Sequence, residues 1–367
     1  MSALGLIFSN IHDSSVPELT SKRTVASIPF GGRYRLIDFA LSNMVNSDVN
    51  KVGVITKSNY RSLMDHVGSG KDWDLARHYG GLFILPPFDN QGASLYTTRL
   101  EALTNVIGFL SQSTEDYVIM SDSDMVCNID FRPIIKNHVK NNADLTLVYV
   151  KKKRNESGGK MNTFFTLDGD RIVDATFDSK EEDVNLYTNI CIIGRNLLIN
   201  LVEEALSHGS SHFVKDVLIP HIKTLRVYGH RHIGYYEEMT SLQKYYTESM
   251  RFLDRETRDE VFRKASVYTK VKDSIPTHYG DNCIAKNSLI ADGCEIEGEV
   301  YDSIIFRGVK VEKGAVIRNC ILMQNTIIGE NATLNCIITD KNTIIREKRN
   351  LSGCETHPFF IGKGSVI

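Results

Sequence analysis

The sequence is poor in whatever would tie it to a membrane, a nucleic acid or an oxidising compartment. No apolar run reaches the roughly 18 residues that a membrane-spanning helix needs. The opening MSALGLIFSN carries no basic stretch and turns polar within ten residues, so it reads as a buried first strand rather than a leader. Neither sign of charge is in excess: 43 Lys+Arg stand against 45 Asp+Glu, a net of −2. The chain therefore lacks the basic field that neutralises nucleic-acid phosphates or anionic lipid. Its seven cysteines are odd in number, with no CxxC pair and no histidine at metal-ligand spacing. That usage is expected of reduced structural thiols in a cytoplasm. What is present is ordinary: 42% hydrophobic residues over 367 positions, enough for a well-buried core and more than one domain.

Residues 1–250 alternate short β-rich runs with amphipathic stretches, the pattern of a sheet covered by helices. The spacing predicts strands over Ala3–Phe8, Lys51–Thr56, Tyr117–Met120 and Leu145–Val150. It predicts helices over Ile37–Asn46, Tyr60–Val67, Leu100–Gln112 and Pro133–Asn141. The expected fold class is α/β, a doubly wound, mostly parallel sheet. Ligands of such sheets sit beyond the C-terminal strand ends, which directs attention to the segments after Phe8, Thr56 and Met120.

From about residue 276 to 367 the texture changes to short β-rich pieces separated by Gly and Asn, with a six-residue period. Ile284, Ile290 and Ile296 form one register, Ile305, Val311 and Ile317 a second, and Leu322, Ile328 and Leu334 a third. Ile338 with Ile344, and Ile361 with Ile367, continue it after breaks. One aliphatic per hexapeptide pointing into a narrow prism is the pattern of a short left-handed parallel β-helix. The charged stretch 251–275, with helical spacing, is then a helical linker.

An α/β domain followed by a β-helix narrows the candidates to sugar-phosphate nucleotidyltransferases and acyltransferases. The stretch Lys22 to Asn43, KRTVASIPFGGRYRLIDFALSN, resembles the signature of the glucose-1-phosphate adenylyltransferase (ADP-glucose pyrophosphorylase) family, where a basic pair precedes PFGGKYRIIDFPLSN. The resemblance continues through WDL (Trp73 to Leu75), ILPPF (Ile84 to Phe88) and VIMSDSDMVCNIDF (Val118 to Phe131). It resumes at HFVKDVLIP (His212 to Pro220) and KNSLIADGCEIEG (Lys286 to Gly298), and so spans essentially the whole chain. It implies a nucleotidyltransferase-type domain at 1–250 and the reaction ATP plus α-D-glucose 1-phosphate giving ADP-glucose and diphosphate, with Mg²⁺ in the assembled enzyme.

The departures from the family pattern fall on its chemistry. Catalytic members follow strand one with a GGxGxRL-like loop whose backbone N–H groups wrap the nucleotide phosphates. Here that stretch is Asn10-Ile11-His12-Asp13-Ser14-Ser15-Val16, with no glycine, no arginine and an added carboxylate. Asp13 beside a triphosphate would repel it, and β-branched Ile11 resists positive φ. The lysine expected after the basic pair is Val25, the glycine of the family's GTA motif is Thr98, and the lysine of its EEKP motif is Asp178, with only Lys180 nearby.

Part of the apparatus survives. The resemblance puts Asp124 on the catalytic, metal-holding carboxylate and Glu238 on the later acidic position, two groups suited to Mg²⁺. Without the resemblance, Asp122 and Asp124 in a strand ending SDSD read first as a turn cap, whereas Glu238 stands evenly between a vestigial ligand and a solvated side chain. Gly31 and Gly32 are suited either to approach a ligand or to turn before a helix. Lys22, Arg23 and Arg35 match positions implicated in binding phosphorylated regulators; the plainer alternative is surface cations paired with acids such as Asp38. The pattern is similar to the regulatory, GlgD-type branch of the family. That implies a cytoplasmic, catalytically impaired subunit with Asp124 vestigial, in a hetero-oligomer, a tetramer as in the family, with a catalytic chain. Two other classes stay open: a self-sufficient nucleotidyltransferase with an atypical phosphate site, and an acyltransferase using the β-helix, with His357 as its candidate histidine.

Overall fold

The structure, a computed structural model, describes residues 2–87, 96–154 and 162–367. Phe88, the last residue of the ILPPF segment, lies outside the described residues. The principal strands of the first domain are β1 (Ala3–Phe8), β2 (Lys51–Ile55), β3 (Gly81–Leu85), β4 (Tyr117–Asp122), β5 (Met125–Cys127), β6 (Leu145–Lys153), β7 (Phe164–Asp168), β8 (Arg171–Thr176), β9 (Asp183–Gly194), β10 (Val227–Arg231) and β11 (Tyr236–Glu238). Its principal helices are α1 (Leu36–Asn46), α2 (Arg61–Val67), α3 (Arg99–Thr104), α4 (Ile107–Ser111), α5 (Phe131–Lys140) and α6 (Arg195–Ser207). Nine strands form one sheet in the order β3-β2-β1-β4-β9-β6-β10-β8-β7.

The half built from β3, β2, β1 and β4 is parallel, as the alternation of strand and helix predicts. The far half is mixed: β9 runs antiparallel to both β4 and β6, while β10 and β6 are parallel. Strand β1 reads ALGLIF because it is central and buried on both faces, where alternation is not required. Gly5 within it is needed for close packing, since a Cβ there would lie 2.9 Å from Met44 Sδ. One apolar layer sits under α3, α4 and α6 and a second under α1 and α5, so the sheet is covered on both sides. The single helix predicted over 100–112 is two, broken at Asn105–Val106, which turns Val106 into the core.

The C-terminal part is three five-stranded parallel sheets wound as a triangular prism. Its regular coils advance 17 residues, pairing Ile305 with Leu322, Val311 with Ile328 and Ile317 with Leu334. These are the registers read from the sequence. The register over 338–344 is corrected: Thr339 and Ile345 point inward, while Ile344 is exposed and Ile338 faces outward onto the first domain. Ile284 likewise sits opposite Glu299, and the inward position of that sheet is Ala285, in line with Val300. A one-residue slip exchanges faces, and the doublets Ile337–Ile338 and Ile344–Ile345 carry an aliphatic on both.

The stretch 251–275 is only partly helical. Helix α7 (Leu242–Arg251) ends at its start and α8 (Arg255–Phe262) lies within it; the remainder is turns and irregular chain. It is also packed rather than tethering. Tyr245, Phe252 and Val261 share one core with Phe30 and Phe39 of the α/β domain and Ile304, Ile321 and Ile338 of the β-helix. The rings of Phe30 and Phe252 meet edge-on at 4.8 Å.

Candidate functional site

The loop after β1 and the end of β4 meet above the sheet. The segment that replaces a glycine-rich loop forms a tight turn over Asp13–Ser15, and none of Asn10 to Val16 adopts positive φ. The Asp13 carboxylate does not face the cleft freely: its Oδ1 accepts the Val25 backbone N–H at 2.7 Å. Burial pushes the Asp13 carboxyl up to about 7 despite that bond and the nearby Lys57. The hydroxyl of Thr20 donates to the Asp13 carbonyl, tying the loop down further.

This turn delivers His12 to the carboxylates of β4. Its Nε2 lies 2.9 Å from Asp122 Oδ2 and 4.0 Å from Asp124 Oδ2. Arg99 approaches the same Asp122 oxygen from the other side, with Nη2 at 2.6 Å, and the guanidinium stacks 5.0 Å from the Phe8 ring. Arg99 begins α3, whose N-cap is Thr98: the Thr98 hydroxyl accepts from Glu101 N–H, and the Glu101 carboxylate accepts from Thr97 and Thr98 N–H. The position where the family carries glycine is thus a helix cap that aims an arginine.

The electrostatics follow from this crowding. Burial disfavours charge on His12, but Asp124 and Asp122 outweigh it and push the imidazole up to about 10. Burial would raise Asp122, yet Arg99 and His12 hold it below the usual carboxylate range. Asp124, buried and without a direct cationic partner of that quality, is held above it. Glu238 follows Asp124 across the β5–β11 pair, where Met239 N–H donates to the Asp124 carbonyl. Burial and then the Asp124 charge push Glu238 up to about 7, and its carboxylate accepts the Tyr236 hydroxyl.

The predicted pair Asp124 and Glu238 is therefore brought together, and Asp122, which the sequence alone reads as a turn cap, is an ion-pair centre. His12, Asp122 and Asp124 have donor atoms all within 4.8 Å of one another. The set does not fit Mg²⁺, which asks for oxygen donors in a near-octahedral shell. One of the three is an imidazole, and an Asp122 oxygen is already spent on two cationic side chains.

Beside this cluster lies a cleft of about 260 Å³ lined by Ile11, His12, Thr98, Arg99, Phe177 and Lys215 among others. That volume lies just under the range of about 300 to 1,000 Å³ usual for ligand sites. Asp178, at the family's lysine position, is exposed and paired with Arg154. Lys180 is exposed. Lys215 does line the cleft; it stands in the HFVKDVLIP motif but nothing in its spacing marks it as a ligand.

The three predicted phosphate cations do not act alike. Lys22 is exposed. Arg23 is 2% exposed and binds both oxygens of Asp340 in the β-helix, Nη2 to Oδ1 at 2.7 Å and to Oδ2 at 2.9 Å, so it is a strut between the two parts of the chain. Arg35 donates to the carbonyl and hydroxyl of Ser62, and burial lowers its guanidinium to about 10. Asp38 is taken by His66 at 2.6 Å and by the Arg35 backbone N–H, not by the Arg35 side chain. Lys341, which sequence reasoning missed, joins this seam from the β-helix; burial, then Arg35 and Arg23, lower its amine to about 6. Gly31 and Gly32, with φ of +57° and +84°, make the turn between two short strands, Pro29–Phe30 and Tyr34–Arg35. His357 is exposed in a turn whose backbone pairs it with Cys354.

Comparisons with known proteins agree with this architecture. A family model described as "Nucleotidyl transferase" matches residues 16–173, and one described as "GlmU-like, C-terminal hexapeptide" matches residues 273–355. The chain is 35% identical to "Glycogen biosynthesis protein GlgD" of Bacillus subtilis over 99% of this chain and 96% of that protein. The match to GlgD of Geobacillus stearothermophilus is again 35%, with the same coverage. It is 30% identical to "Glucose-1-phosphate adenylyltransferase" of Bacillus thuringiensis, over 92% of this chain and 93% of that one. Similarity of this extent, on a nucleotidyltransferase sheet joined to a hexapeptide prism, places the chain in the family that contains the GlgD proteins and the glucose-1-phosphate adenylyltransferases.

Proposed function

We propose that this chain is a catalytically impaired, regulatory subunit of glucose-1-phosphate adenylyltransferase in glycogen biosynthesis, working in the cytoplasm in a hetero-oligomer with a catalytic chain. In the assembled enzyme an oxygen of α-D-glucose 1-phosphate attacks the α-phosphorus of ATP, the bond to the β-phosphate breaks, and ADP-glucose and diphosphate leave. That chemistry, with its Mg²⁺, belongs to the partner's site. The observation that carries the reading is the content of this chain's own site: His12 and Arg99 close on Asp122 where a phosphate-wrapping loop would be needed. The absent loop donors each cost on the order of 10²–10³ in rate.

The role of the chain is then to complete an interface and to receive a phosphorylated effector. The seam between the α/β domain and the β-helix supports the second part. Arg35, Lys341 and Lys272 crowd there, each lowered by burial and by its cationic neighbours, so a bound anion would relieve their mutual repulsion. Lys22 stands exposed beside it in sequence, while Arg23 holds the two walls together.

The test is pyrophosphate release by the purified chain, by a catalytic relative and by the mixture, with light scattering on the same samples. Little turnover alone, a mixed tetramer, and a raised turnover or lowered KM on mixing are expected. A pure chain within about tenfold of the relative's kcat, a factor worth 1.4 kcal/mol of barrier, would instead favour a self-sufficient enzyme. An absence of mixed species and of any kinetic effect would remove the subunit role.

A further inference from the structure

Three departures from the family pattern have a common structural consequence. The segment in place of the glycine-rich loop presents His12; Val25, in place of a lysine, lends its N–H to Asp13 and fixes that loop; Thr98, in place of a glycine, caps the helix whose first residue is Arg99. The products of the first and third meet on a single oxygen of Asp122, at 2.9 Å from His12 Nε2 and 2.6 Å from Arg99 Nη2. The same imidazole nitrogen is 4.0 Å from Asp124 Oδ2. It therefore stands between two carboxylates at the end of β4, in the gap that an ion bridging them would have to enter. Asp122 is 1% exposed and Asp124 6%, so neither can swing out to meet an ion in solvent.

We propose that the His12 side chain, braced by Arg99 on Asp122, takes the place of a divalent cation between Asp122 and Asp124, so that the chain keeps nucleotidyltransferase carboxylates yet binds no metal there until His12 is removed. The inference does not need the subunit role of the preceding section, and takes from the family resemblance only Asp124 as the carboxylate at the metal-holding position. Removal of the imidazole should leave Asp122 and Asp124 as oxygen donors around a gap, the donor chemistry that a hard or borderline divalent ion accepts. The rival arrangement is also definite. Among the described residues Asp122 Oδ1 is buried without a hydrogen-bond partner, and His12, Asp122 and Asp124 together would then ligate a nitrogen-tolerant ion such as Zn²⁺ or Mn²⁺.

The two are separated by titrating the full-length chain with Mn²⁺, followed by electron paramagnetic resonance, and with Zn²⁺, followed by calorimetry. The natural protein, His12→Ala and His12→Ala/Asp124→Asn are compared, with thermal melting as the folding check. The expected result is no saturable site in the natural chain, a gain in Mn²⁺ affinity of at least about tenfold in His12→Ala, corresponding to 1.4 kcal/mol, and loss of that gain in the double variant. A site in the natural chain that weakens when His12 is removed would overturn the proposal and make His12 a ligand. Equal behaviour of the natural chain and His12→Ala, bound or unbound, would overturn it as well. If His12→Ala does not fold, His12→Ser, which keeps a polar side chain but does not span the gap, carries the same comparison. Turnover by the natural chain would count against the proposed function, whereas the metal titration speaks to His12 alone.

Discussion

Replacing Arg23 by alanine separates its two roles, strut and phosphate ligand. Arg23 and Asp340 are 2% and 3% exposed and form a two-pronged pair across 317 residues of sequence. Removal of one partner from such a pair leaves a buried unpaired charge, at a cost of about 3–5 kcal/mol. The neighbouring Lys341 modifies this in a pH-dependent way. Its amine is lowered by burial, by Arg35 and by Arg23, and Asp340 is the group that pulls it up. With Arg23 gone, Lys341 should hold its proton to higher pH and become the counter-ion of Asp340. The loss should therefore be full near pH 9 and shrink toward pH 6, by about 1.4 kcal/mol for each unit that the Lys341 value climbs. Urea unfolding of the natural chain, Arg23→Ala and Arg23→Met/Asp340→Leu at the two pH values measures it. The double variant, which buries no lone charge, should recover most of the loss. A deficit under about 1 kcal/mol at pH 9, the range of an exposed pair, would refute the strut; if phosphate-induced stabilisation vanished at the same time, Arg23 would be a ligand after all.

Three further outcomes are expected. Lys341→Met should stabilise the chain on the order of 1–2 kcal/mol near pH 7.5, after a discount for partial exposure. Between about 6 and 10.5 the unfolded lysine holds a proton that the folded one lacks, so stability of the natural chain should rise with pH across that window and the variant should flatten the rise; a steeper slope in the variant would sink the assignment. Inorganic phosphate should raise the melting temperature of the natural chain more than that of Lys341→Met, as scanning calorimetry would record, and equal shifts would take Lys341 out of the effector seam. Exchange of Asn10 to Val16 for a GGxGxRL loop, together with Val25→Lys, Thr98→Gly and Asp178→Lys, should restore measurable pyrophosphate release in a non-additive way, because these groups contact one bound nucleotide and sugar phosphate. Asp124→Asn in that background should remove the gain, and activity that survived it would mean that the catalytic carboxylate lies elsewhere.

Much of this protein is written locally in its sequence. Strand β1 and helices α1 and α5 were legible because apolar spacing over ten residues or fewer decides which face is buried. The prism was legible wherever one aliphatic per hexapeptide stands alone, as at Ile296, Val311 and Leu334. It became illegible at Ile337–Ile338 and Ile344–Ile345, where adjacent aliphatics serve opposite faces and only the docking of the first domain against Ile338 selects the register. The loss of the glycine-rich loop could be read directly, since it is a statement about which residues are absent. What fills the site could not. The His12–Asp122–Arg99 cluster draws on segments 110 and 23 residues apart, and Arg23 finds Asp340 only after the β-helix has wound back on the sheet. Sequence by itself determined the elements, the repeat and the missing chemistry, because these depend on neighbours along the chain. Tertiary structure decided which charges neutralise one another, because a buried charge takes its partner from whatever the fold brings within a few ångströms, at any distance in sequence.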